Sequence, residues 1–321
     1  MRETEYAFAV ARIRSNELKL LTTADIDLLI GAATSSDVLK ILADKGKTMP
    51  EGNKKTDIAQ AELENAWQLI CESAPDSSLL DALIIENDFY NLKAAIKATF
   101  SNLDASDYYI TPCIADTEVI TKAIKTKNFE LLPEYLQECA AAAYDAVARV
   151  ESGQLAEIYI DKASLNTAKE FVKKAQSPLL SKIVELKCAQ ANIKIALRCV
   201  TMGKDKAFAE NAMCISDYVD NDELLKSASN KEALLKYLLS TPFEPIAKSI
   251  VTGFTEFERQ CDNLLVKWLD DAKWEVFGPD PLVAYYYAKV AEAKNIKIIL
   301  SAKINDLPVE TIRKRVREIY A

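Results

Sequence analysis

Hydrophobic positions recur along this chain at intervals of three and four residues. Toward the end of the sequence, Leu282, Tyr286, Val290, Ala293, Ile296, Leu300 and Ile304 keep that rhythm. At about 100° per residue they fill an arc of roughly 120°, one face of a long helix. A second stripe, Ala284, Ala288, Ala291, Ile299 and Ala302, runs down the other side and contains Asn295. The spacing predicts a helix with two packing faces, one of large and one of mostly small side chains, in the middle of a bundle.

Asparagine is a mediocre helix former, and its amide is costly in apolar surroundings. Yet its setting recurs. Asn91-Leu92-Lys93-Ala94-Ala95-Ile96, Asn192-Ile193-Lys194-Ile195-Ala196-Leu197 and Asn295-Ile296-Lys297-Ile298-Ile299-Leu300 share the word N-[LI]-K-x-x-[IL], at near-equal spacing of 101 and 103 residues. Ordinary residue frequencies produce the word roughly once in thirty or forty chains of this length. Three evenly placed copies signal internal repetition.

Small residues flank each amide: Ala94, Ala95 and Ala98; Cys188, Ala196 and Cys199; Ala288, Ala291 and Ala302. The expectation is a structural repeat lock (Asn91, Lys93, Asn192, Lys194, Asn295, Lys297) between closely packed helices, each amide satisfied by neighbouring backbone. A partial fourth copy, YAFAVARIRSNELKLLT, has Val10-Ala11-Arg12 in place of Asn-Ile-Lys, so the terminal helices read as fragments of the same unit. The coarse map is three helical units, 1–108, 109–208 and 209–321. An exposed charged loop is expected at 45–57, and an acidic loop at 216–223.

Composition agrees. Seven glycines stand in 321 residues, where average usage gives roughly 22. That scarcity favours helices over sandwiches and Rossmann-type sheets. The net charge of −8 argues against nucleic acid. The basic cluster Arg313, Lys314, Arg315 and Arg317 is expected in the last turns of a helix, complementing its dipole. Seven cysteines, odd in number and widely spaced, read as core thiols of a reducing cytoplasm. Neither a membrane-spanning run nor a signal peptide is expected.

Recognisable chemistry is missing. The sequence contains no histidine, which removes the usual base near neutral pH and the commonest metal ligand. TMGKDKAF lacks the glycines of a phosphate cradle. DNDE at 220–223 lacks the glycine and closing glutamate of a calcium loop. Asp270-Asp271 has no second acidic pair at metal-binding spacing and reads as solvated surface. The three tyrosines of AYYYAK read as packing. A helical enzyme built on paired carboxylates and magnesium therefore finds no support, and no cofactor or metal is expected. A generic repeat scaffold is the other reading, but TPR and HEAT arrays repeat at roughly 34 to 47 residues.

Three stretches carry a family resemblance: the opening YAFAVARIRSNELKLLT, the three Asn-x-Lys helices, and the ending VAYYYAKVAEAKNIKIILSAKINDLPVETIRKRVREIYA. Together they resemble, over the full length, the C subunits of archaeal and bacterial V-type (A/V-type) ATPases, whose eukaryotic vacuolar counterpart is the d subunit. Val10 departs from the asparagine typical of that family. The resemblance implies an all-α funnel of three similar domains around a pseudo-threefold axis, without an active site. It implies a role as the central-stalk socket, one copy per complex, peripheral on the cytoplasmic face of the membrane. The central shaft of the ATPase head would plug into it, and it would sit on the membrane rotor ring. Torque would pass between ATP chemistry and proton or sodium transport, or ATP synthesis. Candidate partner-contact residues are Asp217, Asp220 and Asp222 in the acidic loop, the loop 104–118, and the basic group Arg313, Lys314, Arg315 and Arg317.

Overall fold

The structure, a computed structural model, describes residues 5–49, 57–203 and 206–320. Among them every regular element is helical: α1 Ala7–Glu17, α2 Thr23–Gly31, α3 Ser35–Asp44, α4 Asp57–Cys71, α5 Ser77–Ser101, α6 Thr117–Thr126, α7 Glu134–Ala148, α8 Gly153–Ala175, α9 Pro178–Met202, α10 Lys206–Ala212, α11 Asn221–Ser227, α12 Lys231–Leu238, α13 Ser249–Thr252, α14 Phe254–Leu269, α15 Asp280–Ile304 and α16 Val309–Arg313.

The starts of these helices are written in the sequence. Thr22 with Asp25 and Thr34 with Asp37 form capping boxes at α2 and α3, each satisfying two backbone N–H groups that the first turn leaves without partners. Asp116, Ser152, Asp220 and Asn230 cap α6, α8, α11 and α12 with side-chain oxygens. Glycine is scarce even at helix ends: Lys127 and Gln176 take the left-handed conformation after α6 and α8, a place where glycine is the usual residue.

The chain divides into two compact units. The first comprises Met1–Ser77, Ser177–Leu180 and Thr252–Ala321; the second comprises Ser78–Gln176 and Ser181–Val251. In the first unit α15 is central and packs against α1, α2, α3, α4, α14 and α16. Its two predicted packing faces are present: Leu282, Ala293, Ile296 and Leu300 are buried, and so are Ala284, Ala288, Ile299 and Ala302. Tyr285 and Tyr287 are buried, and Tyr286 meets Trp67 edge-on at 6.1 Å. One core joins sequence-distant segments, with Leu21, Ile26, Leu29, Val38, Leu42 and Ile58 against Ile296, Ile299, Leu300 and Ile312. Ser177–Leu180 is held there by Asp280, which accepts from the Ser177 hydroxyl at 2.5 Å and the Leu179 N–H at 3.1 Å.

In the second unit α7 and α8 form the most extensive helix pair. Tyr135 and Tyr144 of α7 meet Phe89 and Phe100 of α5 at ring separations of 6.3 and 5.0 Å. Lys97 of α5 pairs with Glu157 of α8 at 2.5 Å, and Lys169 of α8 pairs with Glu185 of α9 at 2.7 Å.

Two expectations change. The loop 45–57 is not wholly exposed, because Lys47 is buried in an ion-pair network; residues 50–56 lie outside the described residues, as do Lys204 and Asp205 of TMGKDKAF. The cluster Arg313 to Arg317 does not form the last turns of a helix. α16 ends at Arg313, and the backbone of Arg317 is claimed by Asn295.

Candidate functional site

The helices α5, α9 and α15 each contain 25 residues, and each carries its asparagine at nearly the same depth. Asn91, Asn192 and Asn295 are fully buried. Each amide makes the same pair of bonds to one residue of a following non-helical segment. Asn91 donates to the Ile110 carbonyl at 3.0 Å and accepts from the Ile110 N–H at 2.8 Å. Asn192 does the same with Cys214 at 2.9 and 3.0 Å. Asn295 does the same with Arg317 at 3.0 and 2.9 Å. The amide thus imitates the edge of a β-ladder, and both polar ends are satisfied without water. The backbone partner lies in a non-helical strap, and Asn192 donates in addition to the Asn221 Oδ1 at the start of α11, at 2.8 Å. Of the lysines of the repeated word, Lys93 pairs with Asp161, Lys194 is half-buried and Lys297 is exposed.

An acid on the same helix fixes the chain beyond the amide. Asp88 accepts from Ile114 N–H at 2.8 Å, Ala115 N–H at 3.0 Å and the Tyr135 hydroxyl at 2.5 Å. Burial outweighs these donors and pushes its pKa above the usual value. Glu185 accepts from the Ser216 hydroxyl at 2.7 Å and the Asp217 N–H at 2.5 Å. Both straps then enter a capped helix, α6 behind Asp116 and α11 behind Asp220. In the third copy Glu292 accepts from the Leu21 N–H at 2.7 Å, and Thr22 next to it caps α2. The third acid therefore fixes backbone from the start of the numbering and not from the segment beyond Asn295.

Glu292 also belongs to a cluster with no repeat. Its Oε1 lies 2.7 Å from Lys47 Nζ and 2.9 Å from Lys289 Nζ, and Lys289 reaches Glu62 at 2.6 Å. All four side chains are nearly inaccessible. Remaining polar atoms are taken up by the Lys19 carbonyl and the Thr48 N–H. Two cations face two anions, so the cluster is neutral. Burial opposes the charge on Lys289, but Glu292 and Glu62 outweigh it and raise its pKa. Burial lowers the pKa of Lys47, aided by repulsion from Lys289. Lys47, Glu62 and Lys289 border a cavity of about 340 Å³ that Arg12, Asn65 and Tyr285 also line. The sequence pattern held a clue: Lys289 lies about 20° from Leu282 on the helical wheel, inside the large apolar stripe.

The candidate contact residues are dispersed in role. Arg313 pairs with Asp27. Arg317 is largely buried, with Nε 2.9 Å from Asp262. Lys314 and Arg315 are exposed. In the acidic loop, Asp217 is exposed beside Lys169 at 3.3 Å, Asp220 caps α11 through Glu223 N–H at 2.8 Å, and Asp222 lies exposed in that helix's first turn. In the loop 104–118, Asp104 accepts from the Ser106 N–H at 3.0 Å and Asp116 from the Glu118 N–H at 2.8 Å. Asp270 pairs with Lys273 at 3.0 Å. Among the described residues no three Cys, Asp or Glu side chains are grouped to hold a metal ion, and no helix is long and apolar enough to cross a membrane.

The family model for the ATP synthase (C/AC39) subunit matches residues 9–315. This chain belongs to that family. The C/AC39 match spans all three amides and the charge cluster. Among the chain's relatives is the C subunit of the V-type sodium ATPase of Enterococcus hirae, 23% identical over 81% of this chain and 80% of the relative. The C subunit of the A-type ATP synthase of Methanocaldococcus jannaschii is 24% identical over 96% and 85%. That of Thermococcus kodakarensis is 24% identical over 98% and 91%.

Proposed function

We propose that this chain is the non-catalytic socket of a rotary V/A-type ATPase, present once per complex. It would join the shaft of the soluble ATPase head to the membrane rotor ring and carry torque between ATP chemistry and ion movement. Membership of the C/AC39 family over residues 9–315 is the observation that carries this reading. The thirds 1–108, 109–208 and 209–321 would be copies of one helical domain about a pseudo-threefold axis. In support, three helices of equal length each fasten a strap by the same amide pair.

The physics suits a part that must turn without yielding. A coupler wastes work in proportion to its compliance. Long helices, few glycines and neutral locks that hold backbone to backbone all limit bending. The rotor ring supplies the membrane part, so the chain sits as a peripheral subunit on the cytoplasmic face. A generic helical scaffold fits less well, because its repeats are less than half as long as the spacing here.

The test is capture from membranes with this chain as bait, paired with deletion of its gene. The expected result is recovery of shaft and ring proteins, and loss of ATP-driven ion transport on deletion. Normal transport without the chain would overturn the proposal.

A further inference from the structure

We propose that Cys188 and Cys214 are a modification site, a thiol pair that closes to a reversible disulfide and staples the second strap to α9 when the chain meets a low-molecular-weight disulfide. The inference stands apart from the rotor reading and does not need it.

The three copies differ at one position. Four residues before each amide, on the same face of its helix, stand Asn87, Cys188 and Ala291. Asn87 donates to the Pro112 carbonyl of the first strap at 2.7 Å. Ala291 has only a methyl group to offer. In the second copy the position carries a thiol, and the strap meets it with another. Cys214 Sγ lies 3.6 Å from the Cys188 carbonyl and 3.4 Å from Asn192 Oδ1, and the Cys188 thiol donates to the Cys214 sulfur. Ile110 and Arg317, the corresponding strap residues, carry no sulfur.

The backbone holds the pair ready. The Cys214 N–H donates to Asn192 Oδ1 at 3.0 Å, and its carbonyl accepts from the amides of Asn192 and Asn221, each at 2.9 Å. Cys188 is fixed within α9. Both sulfurs are thus placed by groups other than the thiols. Closing the contact to a bond of about 2.05 Å asks for side-chain rotation and a small shift of the strap, not for refolding. The two residues stand 26 positions apart, so the bond closes a loop long enough to restrain the open strap.

Position sets the order of attack. Both side chains are buried, but Ile215, next to Cys214, is 67% exposed. A local lift of the strap therefore brings Cys214 to solvent while Cys188 stays in its helix. The hydrogen bond from Cys188 also favours the thiolate at Cys214. That thiolate attacks the small disulfide, forms a mixed disulfide and releases one small thiolate. As the strap returns, the Cys188 thiolate attacks the Cys214 sulfur and releases the second. Each protein thiol gives its proton to solvent, and each released thiolate takes one up. Two protein thiols are oxidised, and one small disulfide is reduced to two thiols.

The experiment treats the folded full-length chain with oxidised glutathione, digests it without reduction and maps the linked peptides by mass. A Cys188–Cys214 link that dithiothreitol splits is expected. Hydrogen exchange at the Cys214 N–H should slow by about tenfold in the oxidised chain. In Cys188→Ala the glutathione should remain on Cys214 as a mixed disulfide, and in Cys214→Ala Cys188 should stay a free thiol. A link that forms only in urea, or either cysteine pairing first with a different one, overturns the proposal. Unchanged exchange in the linked chain overturns the staple as well. Mapping of the native chain needs neither variant, so it decides even where a variant fails to fold.

Discussion

Asn295 and Lys289 lie on one helix, α15, within two turns of each other, and both are buried polar groups. They solve the same problem differently. Asn295 is neutral and fully matched by one backbone residue, and its arrangement recurs at Asn91 and Asn192. Lys289 is charged and needs Glu62 and Glu292, which in turn need Lys47, Leu21 and Thr48. A neutral lock is self-contained and can be copied. A charge cluster draws in several segments and, once built, tolerates the loss of no member.

The largest expected effect follows from that dependence. Lys289→Met leaves a single cation, Lys47, for the two buried acids Glu62 and Glu292 and should cost about 3–5 kcal/mol in urea unfolding. Adding Glu62→Gln should return a substantial part, because the remaining pair, Lys47 with Glu292, is again neutral; no recovery would show that packing, not charge, dominates.

Next come the locks. Asn91→Leu, Asn192→Leu and Asn295→Leu should each cost about 1–3 kcal/mol, the cost of orphaned buried partners. A silent variant among the three would break their equivalence.

A smaller effect sharpens the contrast with charges near the surface. Asp25 is held at about 2, first by Lys45 and then, against the cost of burial, by the Thr22 N–H and hydroxyl. Its folded pKa is below the ordinary value of ~3.9. Its stabilising contribution is therefore present above that value and lost as pH falls toward 2. Lys45→Ala should raise the folded-state pKa of Asp25 toward the ordinary value and shrink that contribution, read by NMR titration of the Asp25 carboxyl. An unmoved titration would exclude Lys45 as the cause.

The smallest change lies outside both devices. Lys127→Gly relieves a left-handed conformation at φ 55° and should stabilise by up to ~1 kcal/mol in thermal melts. Destabilisation would mean that the side chain, whose ammonium lies 5.4 Å from the centre of the Tyr144 ring, matters more than the backbone.

How much of this was legible in the sequence depends on what each residue contributes. The amides stood out because they recur at nearly even spacing. Their partners did not, because Ile110, Cys214 and Arg317 offer only backbone atoms, which any residue supplies. Helical class and the two-faced α15 followed from periodicity alone. The charge cluster did not show, because a stripe traced through apolar residues passes over Lys289, which sits inside it. The acidic loop looked like one surface, yet Asp220 is spent on a helix cap and the Asp217 backbone is held by Glu185. The basic cluster looked helical, but the Asn295 amide takes the peptide groups that a helix would need.

The bond between Glu292 and Leu21 also sets an order of events during synthesis. The second unit is nearly continuous in sequence and can fold as it leaves the ribosome. The first cannot: Leu21, Ile26 and Val38 share a core with Ile299, Leu300 and Ile312. Its early helices must wait, with apolar faces open to solvent or chaperone, until the residues near Tyr320 have been made.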